Sequence, residues 1–379
     1  MPGRGLMGAA TRFEAAARTL RAVAAAAGFP PAAREEAVAC ARLLAASWAD
    51  EPLAAPPPWS GLGADASGFD ASLVLDGTRR EVRVTVEAQG RPATPARYLA
   101  AARALSEHLA ERHGADLSRL ASLLPLFARP DPRAAGVLWH GAVLAPGRAP
   151  WFKVYLHLMA PGRARARATA EAALDRLGLA PAWPGLAARL APEDEPLFLS
   201  LDLVPGPEAR VKLYVRHGWA GPETLAAPHD PAFSGEVLAF VRGLAGDGPI
   251  RRGALTAFHL RPGRAEPSHV TTHLRLYPHC ARSDAVLAAR LTRALDRLGL
   301  PAAPYRAALA ALAPGGLDGE EGLHGWASLQ RHGARPAVSV YVSPRLYLAR
   351  FGPVALDPER LWPSPVPAAA LREDACASP

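Results

Sequence analysis

The chain has 379 residues, half of them hydrophobic, with a net charge of +8, which excludes an intrinsically disordered protein. Its three cysteines form no disulfide framework, so the composition favours the reducing cytoplasm. The N-terminal stretch lacks a continuous apolar core, and no segment reaches transmembrane length. We therefore expect a cytoplasmic protein without signal peptide or membrane span, whose positive charge is compatible with an anionic ligand or with nucleic acid.

The first part of the chain is predicted to be helical. Residues 10–28 and 32–48 are rich in alanine and leucine at amphipathic spacing, and a proline-rich connector follows at 51–63. We expect residues 1–60 to form helices that pack on the remainder, residues 61–379, within a single domain overall.

From about residue 65 the same unit recurs five times: a strand, a turn containing glycine, a second strand, and usually a helix. The five strand pairs span residues 69–89, 137–159, 197–217, 254–279 and 325–344. A helical segment at 93–114 follows the first pair, and similar segments follow the next three.

The second strands share a register. The same step separates the turn glycine from a second-strand residue in four units: Gly77 and Arg83, Gly147 and Lys153, Gly206 and Lys212, Gly333 and Ser339. In the fourth unit we interpret the turn as longer, running from Gly263 to Arg275. Two residues beyond these positions are Thr85, Tyr155, Tyr214, Tyr277 and Tyr341, which include four of the seven tyrosines.

Side chains alternate across a strand, so each second strand has one apolar face and one face of cations and tyrosines. One interpretation is five ordinary hairpins, each with a wet face. The alternative is that helices cover the apolar faces and ten antiparallel strands close to avoid exposed edges. We therefore predict an α+β fold, a ten-stranded antiparallel β-barrel of five repeated α-β-β-α units with the helices outside. A barrel of this width leaves a polar, aromatic lumen with room for two small molecules.

The lumen chemistry points to a diphosphate and a carbocation. Several buried cations need a compact, multiply charged anion: Arg83, Lys153, Arg210, Lys212 and Arg275 are the predicted diphosphate ligands. The predicted carbocation shield is Tyr155, Tyr214, Tyr277 and Tyr341, since aromatic faces attract a cation. An allylic diphosphate splits into these two species. No aspartate-rich Mg²⁺ motif is present, so we predict no cofactor and no metal.

Two residues on first strands are candidates for handling an aromatic acceptor. Asp70 could accept a hydrogen bond from an indole N–H, or be a solvated strand-end carboxylate. His140, the same distance before its turn glycine, could take the proton lost on rearomatisation, or be a packed histidine. Histidines 269, 273 and 279 with Cys280 have the composition of metal ligands, but His269 and His273 lie about 13 Å apart on a strand, too far to share an ion.

These residues resemble the dimethylallyltryptophan synthase family, the indole prenyltransferases with the ABBA barrel. The segment containing Asp70 and Arg83 is similar to the first hairpin of the family. Its K-x-Y strand is matched by Lys153 and Tyr155, its R-x-K-x-Y strand by Arg210, Lys212 and Tyr214, and its later units by Arg275, Tyr277 and Tyr341. The resemblance implies metal-independent transfer of a dimethylallyl group from its diphosphate to tryptophan or another indole. The sequence departs from the family at two of these positions. It has Asp70 where the family usually has Glu, and it has His140 near a position where the family commonly has Lys.

Two other functions remain open at this point. Interleaved basic and aromatic strand residues are also typical of a β-sheet that binds single-stranded nucleic acid, provided that face is open. A catalytically silent carrier of a hydrophobic ligand is the third possibility. For the enzyme we expect small-molecule substrates only, an allylic diphosphate and an aromatic acceptor, with no nucleic acid, no membrane, and a monomer or weak homodimer.

Overall fold

The computed structural model describes residues 10–54, 60–63, 65–134, 136–206, 209–333 and 335–347. The beginning of the predicted N-terminal segment and residues 348–379 of the predicted barrel region lie outside the described residues. The helices are α1 (Arg12–Ala26), α2 (Pro31–Leu44), α3 (Pro95–His113), α4 (Ser118–Phe127), α5 (Ala166–Arg176), α6 (Trp183–Arg189), α7 (Pro222–Ala226), α8 (Pro231–Ala245), α9 (Asp284–Arg297) and α10 (Ala303–Leu312). None of the described helices is long and apolar enough to cross a lipid bilayer.

The strands are β1 (Phe69–Leu75), β2 (Val82–Glu87), β3 (Leu138–Leu144), β4 (Trp151–His157), β5 (Glu195–Asp202), β6 (Val211–Arg216), β7 (Trp219–Ala220), β8 (Ile250–Arg251), β9 (Ala254–Leu260), β10 (His269–Arg275), β11 (His324–His332) and β12 (Arg335–Val342). Ten of them close into an antiparallel barrel in the order β1-β12-β11-β10-β9-β6-β5-β4-β3-β2, and β7 pairs with β8 separately. The predicted α+β barrel with outer helices is confirmed.

The alternating pattern of the strands explains the two sides of the barrel. On β2, Val82, Val84 and Val86 are fully buried and join one hydrophobic cluster with residues of the helices. Arg83 and Thr85, between them, face the lumen. Because a strand alternates its side chains strictly, this pattern fixes which face each helix covers.

The helices begin and end at residues suited to those positions. Thr11 and Glu14 form a reciprocal capping box at the start of α1. Thr94 caps α3 through the backbone N–H of Arg97, and the helix ends at Gly114, whose φ of 67° favours glycine. The helices α1 and α2 pack against β1, β2 and β3, so they belong to the layer that covers the barrel.

The hairpin turns define one end of the barrel, which we call the mouth. Each turn contains a glycine with positive φ: Gly77, Gly147, Gly206, Gly263 and Gly333. Because each turn joins the two strands of one hairpin and all neighbours are antiparallel, the five turns lie at the same end. Residues further along a second strand therefore lie deeper in the lumen. At the opposite end, Leu62 packs against Trp139 and Phe198.

Candidate active site

A cavity of about 620 Å³ opens at the mouth, within the size range of small-molecule sites. Its wall is strongly basic and includes Arg79, Arg83, Arg148, Arg210, His259 and His269. Glu81 is the one carboxylate among the described lining residues. The mouth is therefore suited to an anion.

Four of the predicted cations lie together here: Arg83 and Arg210 line this cavity, and their charges act on Lys153 and Lys212. Arg83 forms an ion pair with Glu81 (Nη2–Oε1 2.8 Å), and Arg210 forms one with Asp202 (Nε–Oδ2 2.6 Å). The ammonium groups of Lys153 and Lys212 have no hydrogen-bond or ion-pair partner among the residues the structure describes. The pocket thus contains more positive charge than its own carboxylates balance.

The electrostatics of the two lysines reflect this imbalance. Burial lowers the pKa of Lys153 to about 7, an effect that Asp202 opposes and that Arg210 and Arg83 reinforce. Burial also lowers the pKa of Lys212 well below its ordinary value, and the charge of Lys153 is the next largest cause. A bound anion would relieve both effects.

Gly141 on β3 leaves space for the side chains of Lys153 and Tyr155. It pairs with Lys153 across the strands, and a Cβ atom at this position would lie 3.2 Å from Lys153 Cγ, 3.4 Å from Tyr155 Cε2 and 3.1 Å from the Val84 carbonyl oxygen. Any side chain here would push against both the cation and the aromatic ring.

Deeper in the lumen is a chamber of about 90 Å³, the volume of about three water molecules. Its wall includes Asp70, Tyr155, Tyr214, His273 and Tyr341, and its floor is formed by Leu62, Trp139, Phe198 and Trp326. The sequence predicted one open lumen for two molecules. The structure instead divides it into a wide mouth and a small chamber, because large aromatic side chains project into the lower half.

The aromatic rings form a connected wall. The centroids of Tyr155 and Tyr214 are 6.0 Å apart, and Phe198 lies 6.5 Å from Tyr155 and 6.2 Å from Tyr214, all in edge-to-face orientation. Trp139 packs on Phe198 at 4.9 Å. Tyr155 and Tyr214 are each two residues deeper than a lysine on the same strand. The aromatic rings therefore lie directly below the ammonium groups in the lumen.

Asp70 faces this chamber from β1, opposite Thr85. Burial raises its pKa well above the ordinary value, and the nearby Asp65 raises it further. A hydrogen bond from the backbone N–H of Ala71 and the positive charge of Arg275 lower the pKa of Asp70 and only partly oppose this rise. The carboxyl group is therefore a hydrogen-bonding group in an apolar chamber rather than a solvated strand end.

Glu87 is a feature of the site that the sequence analysis did not single out. It accepts hydrogen bonds from Trp139 Nε1 (2.8 Å) and from the Ser60 hydroxyl (2.5 Å), and burial raises its pKa to about 7. It thereby holds the indole of Trp139 in the floor of the chamber. Its place on the lumen face, two residues after Thr85, was the available signal.

The predicted position of His140 is wrong. Its side chain lies outside the lumen, where Nε2 is 2.8 Å from the hydroxyl of Ser106 on α3. An even number of residues separates the paired Leu73 and Val82 of the first hairpin, and an odd number separates Val143 and Trp151 of the second. Equal distance from the turn glycine therefore places Asp70 and His140 on opposite faces.

The predicted positions of Tyr277 and Arg275 are also wrong. Tyr277 lies beyond the end of β10 in the outer core, and its hydroxyl donates to Glu321 (3.0 Å). Arg275 is buried near the floor, with its guanidinium 5.9 Å from the ring centre of Trp326. In the fourth unit the residue at the usual step beyond the turn glycine Gly263 is His269, which lines the mouth, and not Arg275.

One signal in the sequence could have found the cation cluster directly. Lys153 and Lys212 are the only lysines among the 379 residues, and every other basic residue counted with them is arginine. Both lie in the lumen at the matching register position.

Comparison with solved structures agrees with this fold. PriB in a binary complex with product diphosphate superposes with a TM-score of 0.81 and 28% identity over 89% of this chain and 97% of that chain. The 6-dimethylallyltryptophan synthase from Micromonospora olivasterospora, in complex with DMASPP and Trp, gives 0.81 and 27% over 89% and 98%. The 5-dimethylallyltryptophan synthase from Streptomyces coelicolor superposes with a TM-score of 0.81 and 27% identity, over 90% of this chain and 99% of that chain. No family model matches the chain.

The closed barrel with outer helices and a basic, aromatic lumen defines a prenyltransferase of the ABBA class. Within that class, the solved structures to which the chain is similar are PriB and the dimethylallyltryptophan synthases, which are indole prenyltransferases.

Proposed function

We propose that the protein transfers a dimethylallyl group from dimethylallyl diphosphate to the indole ring of tryptophan or of another indole, by Friedel-Crafts alkylation and without a metal ion. The observation that carries this proposal is the pair Lys153 and Lys212, whose ammonium groups have no partner among the described residues and lie between a basic mouth and an aromatic chamber. The related structures with diphosphate, and with DMASPP and Trp, support the same assignment of substrates.

The first step is cleavage of the allylic C–O bond. The electron pair leaves with the diphosphate, where negative charge therefore grows. Lys153 and Lys212 with Arg83 and Arg210 would stabilise that charge, and their positions are preorganised by the barrel strands. These four residues are the proposed diphosphate ligands, and their fixed positive charges would serve in place of Mg²⁺.

The second requirement is protection of the allyl cation. The faces of Tyr155, Tyr214 and Tyr341 would surround it, since a cation over an aromatic face gains about 0.5–2 kcal/mol. Burial of these rings would also exclude water, which otherwise captures the cation. Tyr277, in the outer core, has no part in this proposal.

Asp70 would orient the acceptor. Its carboxyl group lies in the chamber wall, where it would accept a hydrogen bond from the indole N–H. As the ring carbon attacks the allyl cation, positive charge spreads to the indole nitrogen. That charge would favour the ionised form of the Asp70 carboxyl group, so the hydrogen bond would strengthen in the transition state.

The nucleic-acid alternative requires an open face of basic and aromatic residues. In the described strands this face lines the inside of a closed barrel, which disfavours that function.

Because one barrel supplies every residue of the proposed site, we propose that a monomer or weak homodimer is active.

The test is incubation with dimethylallyl diphosphate and a panel of indoles, tyrosine and tryptophan-containing cyclic dipeptides, read by mass spectrometry. We expect an indole product that has gained one dimethylallyl group, and much less of it with Lys212→Ala. Release of diphosphate without any alkylated acceptor, or equal product from the variant, would contradict the proposal.

A further inference from the structure

His273 occupies a distinctive place in the chamber wall. It lies on the lumen side of β10, between two of the proposed shield residues, with its ring centroid 5.5 Å from that of Tyr214 and 6.3 Å from that of Tyr341. Its imidazole makes no hydrogen bond to any residue in the described ranges. A ring nitrogen is therefore available to a molecule in the chamber.

One other buried histidine of the barrel, His157, also has an Nδ1 without a partner among the described residues, but it packs against Trp139 and Phe198 and does not line the chamber. Three more buried histidines have hydroxyl partners. His140 contacts the Ser106 hydroxyl at 2.8 Å, His217 contacts that of Thr256 at 2.8 Å, and His259 contacts that of Thr271 at 3.0 Å. Since buried polar groups are nearly always hydrogen-bonded, an unpartnered imidazole facing a cavity indicates that a ligand completes it.

The other titratable groups of the chamber are poorly suited to take up a proton. Burial raises the pKa of Tyr155, Tyr214 and Tyr341, so all three stay as neutral phenols. In the proposed function Asp70 already accepts the indole N–H. Among the described lining residues, His273 is then the remaining base.

We propose that His273 is the catalytic residue that accepts the proton when the alkylated indole regains its aromaticity, an inference that rests on the proposed function. After the new C–C bond forms, the attacked ring carbon still holds its hydrogen. The C–H electron pair returns to the ring, and the proton passes to the imidazole lone pair to form imidazolium. The diphosphate has already left with the C–O electron pair, so charge and atoms balance.

The electrostatic surroundings are consistent with this role. Burial, together with the charges of Lys212 and Arg83, lowers the pKa of His273 to about 3. The imidazole is therefore neutral at pH 7 and ready to accept a proton, and an arenium ion is acidic enough to protonate it. A bound diphosphate beside the same two cations would offset their charge and stabilise the imidazolium as it forms.

The test compares the wild-type protein with His273→Gln and His273→Asn. Both amide side chains keep the polarity and approximate size of histidine but are not basic enough to accept the proton. General-base removal commonly costs about 10²–10⁴-fold, so we expect kcat to fall by about 10²-fold in both. We also expect an isotope effect with ring-deuterated acceptor that is absent in the wild type, because proton removal becomes slow. The control His140→Gln, outside the lumen, should show the wild-type rate and no isotope effect.

The outcomes separate the two proposals. Active wild-type protein with unchanged His273 variants, or with slow variants that lack the isotope effect, would overturn the role of His273 alone. No transfer to any indole by the wild-type protein would overturn the proposed function, and this inference with it. Two substitutions are used so that failure of one to fold leaves the other to decide.

Discussion

Lys153 on β4 and Lys212 on β6 lie on either side of β5, where they pair with Asp202 and Ser200 of that strand, and the charge of Lys153 lowers the pKa of Lys212. A buried ammonium group can lose its proton, whereas a guanidinium stays charged. Lysine is therefore suited to a lumen that is sometimes empty and sometimes holds a diphosphate. Under the proposed function, this difference would account for the two lysines in a chain that otherwise uses arginine.

The first prediction concerns Lys212→Met. Loss of a positive group that stabilises the leaving diphosphate should lower kcat/KM by at least about 10²-fold, measured with dimethylallyl diphosphate and an indole. The melting temperature of the empty protein should stay the same or rise, because the cation that is removed has no partner. The exposed Arg103→Ala on α3 is the matched control and should leave both quantities unchanged. Full turnover by the Lys212 variant would refute its assignment.

The second prediction is a pH dependence of stability due to Lys153. Its folded pKa of about 7 lies below the ordinary value of 10.5, so between these values the unfolded chain holds a proton that the folded protein lacks. Stability of the empty wild-type protein relative to Lys153→Met should therefore rise with pH from about 7 to about 10.5, by up to about 1.4 kcal/mol per pH unit. Urea unfolding of both proteins at several pH values measures this difference, and parallel profiles would contradict it.

The same titration predicts the behaviour of inorganic diphosphate. Since binding requires the protonated lysine, the rise in melting temperature caused by diphosphate should be larger at pH 7 than at pH 9. In Lys153→Met the gain should be smaller and less dependent on pH.

The third prediction concerns Asp70→Asn. The amide can still accept the indole N–H but without a full charge, so transfer to an indole should slow by about tenfold or more. Slow hydrolysis of dimethylallyl diphosphate without acceptor should be spared, because Asp70 lies in the chamber and not among the four cations. Product and hydrolysis are measured in parallel on the same preparation. Equal loss of both reactions would argue against a role with the acceptor.

The fourth prediction concerns acceptor size. Trp139, held by Glu87, fills the floor of a chamber of only about 90 Å³. Trp139→Ala should slow the alkylation of tryptophan and increase relative activity with bulkier indoles such as tryptophan-containing cyclic dipeptides. Trp219→Ala, at a side chain that is 52% exposed, is the control and should not change the acceptor profile. An unchanged profile in the Trp139 variant would show that the floor does not limit acceptor size.

The fifth prediction is that activity survives EDTA, because in the proposed mechanism the lumen cations take the role that Mg²⁺ has in other enzymes that ionise diphosphates. Initial rates before and after chelation, with and without added Mg²⁺, provide the measurement. Complete loss on chelation that Mg²⁺ restores would overturn the metal-free mechanism.

Much of the architecture was predictable because it depends on local repetition. Five strand pairs with a turn glycine, and the alternation of Val82, Val84 and Val86 with polar residues, indicate ten strands with one apolar face. A sheet of that kind has few ways to bury one face and avoid edges, and the closed barrel is one of them. The step from turn glycine to lysine then places Lys153 and Lys212 on the same side.

The exact faces and depths were not predictable from pattern alone. The face of the sheet on which His140 lies depends on whether its hairpin turn holds an odd or an even number of residues. One added residue moves every side chain of a strand to the opposite face. Tyr277 continues the sequence pattern of β10, but the strand ends at Arg275 and the side chain packs against the outer helices.

The sequence by itself therefore determined the class of fold and the polar strand faces that carry Arg83, Lys153 and Lys212, because these follow from alternation and charge. Only the tertiary structure decided which groups share the chamber, bringing His273 to Tyr214 and Tyr341 and removing His140 from it. The physical reason is that strand register and barrel closure join residues distant in sequence, and neither is encoded in any short segment.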